Sequence, residues 1–217
     1  VIYVDDKKRI WFSGPGKGLC IFDEEKQNIE HYPLSDIDDI YSDKRNYNVT
    51  RYIYPDKDEK YWLTSFNGLY RFDDKSNVLI HKPYYKKVIK DMRRLDGFLT
   101  IHATDENGFW ISSWGGGIHY FDKRTEKYQT FFCSESKPDN YNNIINGMIP
   151  KSKNEFWVST NENGFGIFNT DTRKYNFLKE VDPVLGKKFG SCTQIINDKN
   201  GMLYFVAENE LVTYNPS

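Results

Sequence analysis

The stretch FWISSWGGGIHYFD, residues 109–122, holds the residue types most suited to contacting a ligand. A tryptophan ring can pack on the apolar face of a sugar, and a run of glycines can bring backbone N–H groups close to a phosphate. A phosphate cradle needs a helix after its glycines and a Lys-Ser/Thr pair, whereas Gly115–Gly117 lead into the strand pattern IHYF. We therefore interpret Gly117 as a turn residue with positive φ, and we predict the same role for Gly18, Gly68 and Gly166 in the similar stretches of the chain. Whether Trp114, Gly115 and Gly116 contact a ligand stays open.

Acidic and histidine side chains give weaker indications of chemistry. Asp5-Asp6 and Asp73-Asp74 are adjacent acids, and a glycosidase needs two carboxylates about 5–10 Å apart. The Asp that ends a strand, as at Asp122, is better interpreted as the first residue of an Asx turn. The four histidines include no i,i+4 pair and the three cysteines no CxxC motif, so we predict neither a metal site nor a cofactor.

The composition indicates a folded, sheet-rich chain that does not bind nucleic acid. Among the 217 residues are 16 Tyr, 15 Phe and 5 Trp, types that favour pleated sheets. The formal net charge is −1, which gives no electrostatic footprint for a polyanion. No apolar run approaches the roughly 20 residues that span a bilayer. The chain begins at Val1 inside a strand pattern and without Met, so we expect it to be a fragment of a longer protein.

A repeat of about 47 residues organises the chain. Its aromatic anchors, separated by 51, 48, 47 and 47 residues, are Trp11, Trp62, Trp110, Trp157 and Tyr204. Each anchor opens a strand, a glycine-bearing turn follows, the next strand ends on Asp or Asn, and a further strand completes the unit. With the short strand before the anchor, this pattern predicts four antiparallel strands and no helix.

Repeated four-stranded units predict an all-β protein of β-propeller class. We expect blades at 1–35, 48–84, 98–133 and 143–180 and a partial blade at 190–217, all in a single propeller segment. The last unit lacks its fourth strand, which predicts an incomplete propeller with exposed sheet edges. A closed ring of five blades and a linear stack of units are the alternatives.

The copy DENGFWISSWGGGIHYFD, from Asp105 to Asp122, resembles the two-component regulator propeller repeat, and the copy from Asp198 to Asn215 is a diverged form. This repeat is typical of the sensor regions of hybrid two-component systems in gut Bacteroidetes. The resemblance implies the periplasmic part of an inner-membrane histidine kinase, an oligosaccharide signal that controls carbohydrate-utilisation genes, and a homodimeric receptor. It also implies that neighbouring propeller blades or domains of the same chain are partners, and that this segment is not an enzyme.

Recurrence separates folding residues from candidate ligand contacts. Trp110 recurs in other units, so we interpret it as a core anchor, whereas Trp114 occurs in one unit alone. In up-and-down blades the turn with Trp114 lies at the same end as the long connections between units, and long loops on a rigid scaffold commonly bind ligands. The predicted ligand contacts on that long-loop face are Trp114, Gly115, Gly116, Arg45, Tyr47, Tyr84, Arg93, Arg94 and Tyr141, with Tyr85, Asn140 and Asn143 on the same loops.

Three functions are compatible with this pattern. The first is a non-catalytic sensor segment that binds an oligosaccharide through the long-loop face. The second is a propeller glycosidase or lyase, for which Asp91 and Asp96 are the nearest non-recurring acids on a long loop. The third is an interaction scaffold that only docks to its neighbours. A concave polar pocket with aromatic residues on the long-loop face would favour the first function over the third.

Overall fold

The computed structural model describes residues 1–14, 16–34, 48–57, 60–84, 97–134, 143–177, 192–207 and 210–216. Every regular element named in these ranges is a β-strand. The strands are β1 (Ile2–Val4), β2 (Ile10–Phe12), β3 (Leu19–Asp23), β4 (Asn28–Tyr32), β5 (Thr50–Pro55), β6 (Lys60–Ser65), β7 (Gly68–Asp73), β8 (Val78–Lys82), β9 (Phe98–His102), β10 (Gly108–Ser113), β11 (Ile118–Asp122), β12 (Lys127–Phe131), β13 (Ile145–Ser152), β14 (Glu155–Thr160), β15 (Phe165–Asn169), β16 (Lys174–Phe177), β17 (Cys192–Asn197), β18 (Leu203–Ala207) and β19 (Glu210–Tyr214). They form antiparallel sheets of three or four strands in chain order.

The chain divides into two compact units. The first lies within Val1–Lys87 and Asp96–Ile101 and contains sheet 1 (β1–β4) and sheet 2 (β5–β8). The second consists mainly of His102–Ser217 and contains sheet 3, whose strands here are β10–β12, together with sheet 4 (β13–β16) and sheet 5 (β17–β19). Hairpins between consecutive strands therefore generate every sheet.

In sheets 2, 3 and 4 the strand that contains the aromatic anchor is the most buried strand, whereas in sheet 1 the most buried strand is β3. All six residues of β10 are buried, and in β14 only Glu155 is partly exposed. Such inner strands are buried because a neighbouring strand lies on each side and another sheet covers them, and their buried residues include Ser112, Ser113, Ser159 and Thr160. In β12, by contrast, burial alternates with exposure, as expected for a strand at the edge of a sheet. The repeat thus encodes buried inner strands and more polar outer ones.

The turn after each third strand is an Asx turn, as the sequence predicts. Asp23 Oδ1 accepts hydrogen bonds from the backbone N–H groups of Glu25 and Lys26, both at 3.1 Å. Side-chain oxygens at the same repeat position accept comparable bonds from the backbone in Asp73, Asp122 and Asn169. Four residues further on, a non-glycine residue takes a positive φ: Gln27, Asn77, Glu126 and Arg173.

A hydroxyl group stabilises the glycine turn that follows each anchor strand. Ser113 Oγ donates to the carbonyl of Gly117 at 2.9 Å, and Gly117 has the positive φ that the sequence predicts, +73°. The same hydroxyl-to-glycine bond joins Ser13 to Gly18, Ser65 to Gly68 and Thr160 to Gly164.

The prediction that Gly166 is the turn glycine of sheet 4 was wrong. Gly164 has the positive φ, +72°, whereas Gly166 lies inside β15. A Cβ on Gly166 would lie 2.6 Å from the Asn176 carbonyl oxygen, so close approach of β16 explains the need for glycine there.

Aromatic side chains and an ion cluster join sheets 1 and 2. The Trp11 ring lies 4.2 Å from that of Tyr61 and 5.3 Å, edge to face, from that of Phe72. At one end of this interface, the Arg9 guanidinium donates two hydrogen bonds of 2.8 Å to Asp74 and one to Asp5. This fork-to-carboxylate geometry gives stronger hydrogen bonds than neutral pairs do.

The ion cluster makes the stability of the first unit depend on pH. Burial alone would raise the pKa of Asp74, but hydrogen bonds from Arg9 and Lys7 hold it below its ordinary value. A lowered folded-state pKa adds stability that is fully present above the unfolded-state pKa of about 3.9 and is lost as pH falls through the folded-state value. We expect Asp74→Asn to lower the free energy of unfolding by about 2 kcal/mol at pH 7, and by progressively less below about pH 4.

Urea titrations of the wild type and of Asp74→Asn at several pH values between 3 and 7 would measure this difference. The exposed Glu24→Gln serves as a control, for which we expect a change within about 0.5 kcal/mol at every pH. A difference between wild type and Asp74→Asn that does not vary with pH would contradict the assigned ion pairs.

Candidate functional site

Trp114 and the two glycines after it form one tight turn between β10 and β11. The Trp114 side chain is 49% exposed, and its backbone forms an isolated antiparallel bridge with Ile144. Gly115 has a φ of +115°, and the backbone N–H of Gly116 donates to Ser113 Oγ at 2.9 Å. The backbone conformation thus explains the glycine at 115. The indole of Trp114 is exposed enough to reach a ligand, and that contact stays a prediction.

A buried asparagine anchors this turn to the long connection that precedes sheet 4. Asn143, which the sequence placed among the candidate ligand contacts, is instead fully buried. Its carbonyl accepts from the Gly117 N–H at 2.8 Å and its Oδ1 from the Cys133 N–H at 2.7 Å. Asn48 makes the same pair of bonds in the first unit, to the N–H groups of Gly18 and Leu34. The sequence signal that could have revealed this role is an Asn two residues before the first strand of a sheet, Asn48 before β5 and Asn143 before β13.

Most other predicted contacts lie outside the described residues. These are Arg45, Tyr47, Tyr85, Arg93, Arg94, Asn140 and Tyr141, and the candidate acids Asp91 and Asp96 fall there too. Tyr84 is described and half-buried, with its ring edge to face against Phe98 at 6.2 Å. The structure therefore brings Trp114, Gly115 and Gly116 together in one turn, and the remaining contacts stay predictions.

The adjacent acids that suggested glycosidase chemistry are structural. Asp5 is buried, and its carboxylate accepts hydrogen bonds from the backbone of Lys7 and Arg9 and from the side chains of Arg9 and Trp11. Asp74 is held by Arg9 and Lys7. Carboxylates committed to so many donors stabilise the sheet interface and are poorly placed to exchange protons with a substrate.

The histidines also occupy structural positions. His119 is fully buried, with its ring nitrogens 3.1 Å from Thr130 Oγ1 and 3.1 Å from Ser113 Oγ, so it supports the turn that carries Trp114. Burial lowers the pKa of His102, whose Nε2 lies 2.6 Å from the Met148 carbonyl oxygen. Within the described ranges, no three His, Cys, Asp or Glu side chains are arranged to hold a metal ion.

A polar groove of about 290 Å³ lies between sheets 3 and 4 in the second unit. Its lining residues come from three turns and three strands: Thr104 and Asp105 before β10, Lys153 and Asn154 between β13 and β14, Thr170, Asp171 and Arg173 between β15 and β16, and Trp110, Tyr120 and Gln129. The turn before β10 is at the opposite end of that strand from Trp114. The groove is thus at the short-turn end, where the sequence predicted no site.

The lining of this groove combines balanced charges with hydrogen-bonding groups and aromatic surface. Asp105 and Asp171 are offset by Lys153 and Arg173, all four of them exposed. The Asn154 amide donates to Asp171 Oδ2 at 2.6 Å. Burial, followed by the negative charge of Asp105, raises the pKa of Tyr120, so its hydroxyl stays a neutral donor at physiological pH.

The aromatic core beneath the groove fixes the two sheets against each other. The Trp110 ring lies 5.4 Å from Phe168 and 6.5 Å from Phe156. The Tyr175 hydroxyl donates to the Phe131 carbonyl at 2.7 Å and accepts from the Ile118 N–H at 3.2 Å. A ligand in the groove would therefore meet a pre-formed surface, as ligand sites usually offer.

In the part of the chain that the structure describes, we find no helix of the length and apolarity that a bilayer crossing requires. No protein-family model matches the sequence, and no curated protein matches it significantly.

Several solved structures are similar to the whole chain. One is the extracellular domain of BT3049 of Bacteroides thetaiotaomicron, described as a hybrid two-component system, with a TM-score of 0.70 and 16% identity over 99% of this chain. Another, from the same organism, is the extracellular domain of BT4673, described as a one-component system, with a TM-score of 0.73 and 24% identity over 99% of this chain. The WD40 propeller domain of Doa1 covers the chain completely at a TM-score of 0.64 and 10% identity.

These similarities confirm the predicted β-propeller class, and the incomplete propeller fits them. The chain spans 27% and 29% of the two bacterial domains and 63% of the WD40 domain. The expected resemblance to extracellular domains of bacterial two-component systems is also confirmed at the level of the fold.

Proposed function

We propose that this chain is a non-catalytic, extracytoplasmic segment of a membrane-bound sensor, and that it responds to an oligosaccharide. The observation that carries the proposal is the match of 99% of the chain to the extracellular domain of BT4673 at a TM-score of 0.73. The repeat around Trp110 supports the same assignment from the sequence. The sensor is a hybrid two-component histidine kinase of the periplasm and inner membrane, and it controls carbohydrate-utilisation genes.

The positions of the described acids and of Trp114 support a binding rather than a catalytic role. Asp5 and Asp74 are occupied by the ion cluster that joins sheets 1 and 2. The half-exposed indole of Trp114 stands in a turn fixed by Ser113 and Asn143, and such a rigid aromatic surface suits the apolar face of a sugar ring. In the proposed receptor, homodimer partners and neighbouring propeller blades pass the binding event to the kinase.

Deletion of the codons for residues 1–217 in the organism that encodes the chain would test this function. We expect one set of carbohydrate-utilisation transcripts to lose its induction by one purified glycan out of a panel, while responses to the other glycans persist. Protease added to intact spheroplasts should cleave the protein, because the segment lies outside the cytoplasm. Unchanged transcripts on every glycan, or protection from the protease, would contradict the proposal.

The indole of Trp114 provides a residue-level test of the predicted long-loop site. We expect Trp114→Ala to weaken binding of the identified glycan about fivefold, because an aromatic contact contributes about 1 kcal/mol. Isothermal titration calorimetry would measure the change. Phe66→Ala, at the matching turn of sheet 2, is the control and should leave the affinity unchanged. Equal affinity of wild type and Trp114→Ala would remove Trp114 from the site.

A further inference from the structure

The interfaces between sheets 1 and 2 and between sheets 3 and 4 have matching aromatic cores. In the first, Trp11 contacts Phe72 at 5.3 Å, and in the second Trp110 contacts Phe168 at 5.4 Å. The repeat therefore allows a comparison of the two interfaces position by position. They differ at the short-turn end.

Three repeat positions carry charged side chains in the first interface and uncharged residues in the second. Asp5 stands six residues before Trp11, and Thr104 stands six residues before Trp110. Two residues before the same anchors, Arg9 corresponds to Gly108. Directly after the strand-ending Asp73 and Asn169, Asp74 corresponds to Thr170.

The side chain that spans the first interface has no counterpart in the second. Arg9 bridges Asp5 and Asp74 with hydrogen bonds of 2.8 Å, whereas Gly108 has no side chain. Tyr120 takes the space beside Gly108, where an added Cβ would come within 2.6 Å of the Tyr120 hydroxyl oxygen. Beyond Tyr120, the groove of about 290 Å³ lies at the position that corresponds to the ion cluster of the first interface.

We propose that this groove is a saccharide subsite, distinct from the predicted long-loop face, that takes one or two neutral sugar rings. The assignment rests on the proposed sensor function for its biological role and on the lining for its chemistry. The volume is at the lower limit of ligand pockets, which are about 300–1,000 Å³. The charges of the lining cancel, so a neutral ligand fits better than an anion or a cation.

The hydrogen-bonding groups of the groove match a polyhydroxylated molecule. The Tyr120 hydroxyl and the Gln129 and Asn154 amides supply donors and acceptors. The Thr170 hydroxyl, which donates to the Asn154 carbonyl at 3.2 Å, can accept from a ligand. Trp110 and Tyr120, with ring centroids 5.0 Å apart, supply the aromatic surface. Because Asp105 belongs to sheet 3 and Asp171 to sheet 4, a bound sugar would link the two sheets.

Gln129 and Asn176 offer a matched pair of positions for the test. Gln129 lines the groove, and Asn176, exposed at the equivalent position of sheet 4, does not. We expect Gln129→Ala to weaken binding about three- to tenfold, as loss of one hydrogen bond does, and Gln129→Trp to weaken it more than 30-fold by filling the groove. Asn176→Ala and Asn176→Trp should leave the affinity unchanged.

The measurement is calorimetry together with amide NMR shifts, using cellobiose, maltose, xylobiose and mannobiose as probes. Digalacturonate is the anionic comparator and glycine the zwitterionic one. The subsite would be supported if a neutral disaccharide shifted the amide signals of Asn154 and Asp171, and if these shifts were lost in Gln129→Trp but kept in Asn176→Trp. Preferential binding of digalacturonate or glycine in the groove would overturn the ligand class.

Disaccharide binding that survives Gln129→Trp but is lost in Trp114→Ala would overturn the subsite and leave the sensor function standing. No shift in the groove with any of the neutral probes would also overturn the subsite. The sensor function is decided separately, by the transcripts of the deletion strain and by protease access.

Discussion

Asp5→Ala will lower the free energy of unfolding of the first unit by about 3–5 kcal/mol, which is the range for breaking a buried ion pair by removing one partner. The Asp5 carboxylate is inaccessible to solvent and accepts from Trp11 Nε1 at 2.8 Å and from Arg9 Nε at 2.8 Å. Alanine would remove the acceptor of both donors, and it would also remove the Oδ1 acceptor of the Lys7 and Arg9 backbone N–H groups. Unsatisfied buried donors cost more than the net energy of the bonds they lose.

Urea denaturation followed by tryptophan fluorescence would measure this loss, because two of the five tryptophans, Trp11 and Trp62, belong to the first unit. Asp6→Ala is the matched control, since Asp6 is the exposed neighbour of Asp5 in the sequence and should change stability by less than about 0.5 kcal/mol. Similar effects of the two substitutions would show that the ion cluster adds little to the interface.

Gly117→Ala will destabilise the second unit by about 3–5 kcal/mol, for two reasons that add. A non-glycine residue at φ +73° costs about 1–3 kcal/mol, and the new Cβ would lie only 2.2 Å from the Phe131 carbonyl oxygen. Because that oxygen belongs to the backbone of β12, the strand itself must move, which costs about as much as overpacking a core.

Gly201→Ala distinguishes the cost of the positive φ from the cost of the steric clash. Gly201 belongs to the same unit and has a φ of +82°, but no atom lies within 4 Å of its added Cβ. We expect Gly201→Ala to cost only about 1 kcal/mol in the same urea titration. Equal losses for both substitutions would mean that the turn around Gly117 relaxes without moving β12.

The sequence predicts the fold well because the residues that determine the turns and the core of a sheet lie within a single repeat. Trp110 marks the buried strand, and Asp122 marks the Asx turn, as the structure confirms. The assignment of Gly166 failed although the spacing was available: Gly164 stands seven residues after Trp157, as Gly117 does after Trp110, whereas Gly166 stands nine residues after that anchor. In the structure, its positive φ and the hydrogen bond from Thr160 identify Gly164 as the turn residue of sheet 4.

The groove was harder to predict because it forms where sheets 3 and 4 lack the charged residues that fill the equivalent space between sheets 1 and 2. Thr104, Gly108 and Thr170 are unremarkable singly, and they gain meaning only beside the Asp5, Arg9 and Asp74 of the first repeat pair. A position-by-position comparison of the repeats could have raised the question. It could not have shown that Tyr120 occupies part of the space and leaves the rest open, since that depends on side-chain packing.

The order of the strands has a consequence for how the chain is made. Every sheet uses strands that are consecutive in the chain, so the contacts within a sheet join residues that are close in sequence. Contacts of this kind form quickly, because little loop entropy is lost in making them. During synthesis, each sheet can close its hairpins as its strands leave the ribosome. An anchor such as Trp11 is then covered when the following sheet arrives, so maturation proceeds from the amino terminus in steps of one repeat.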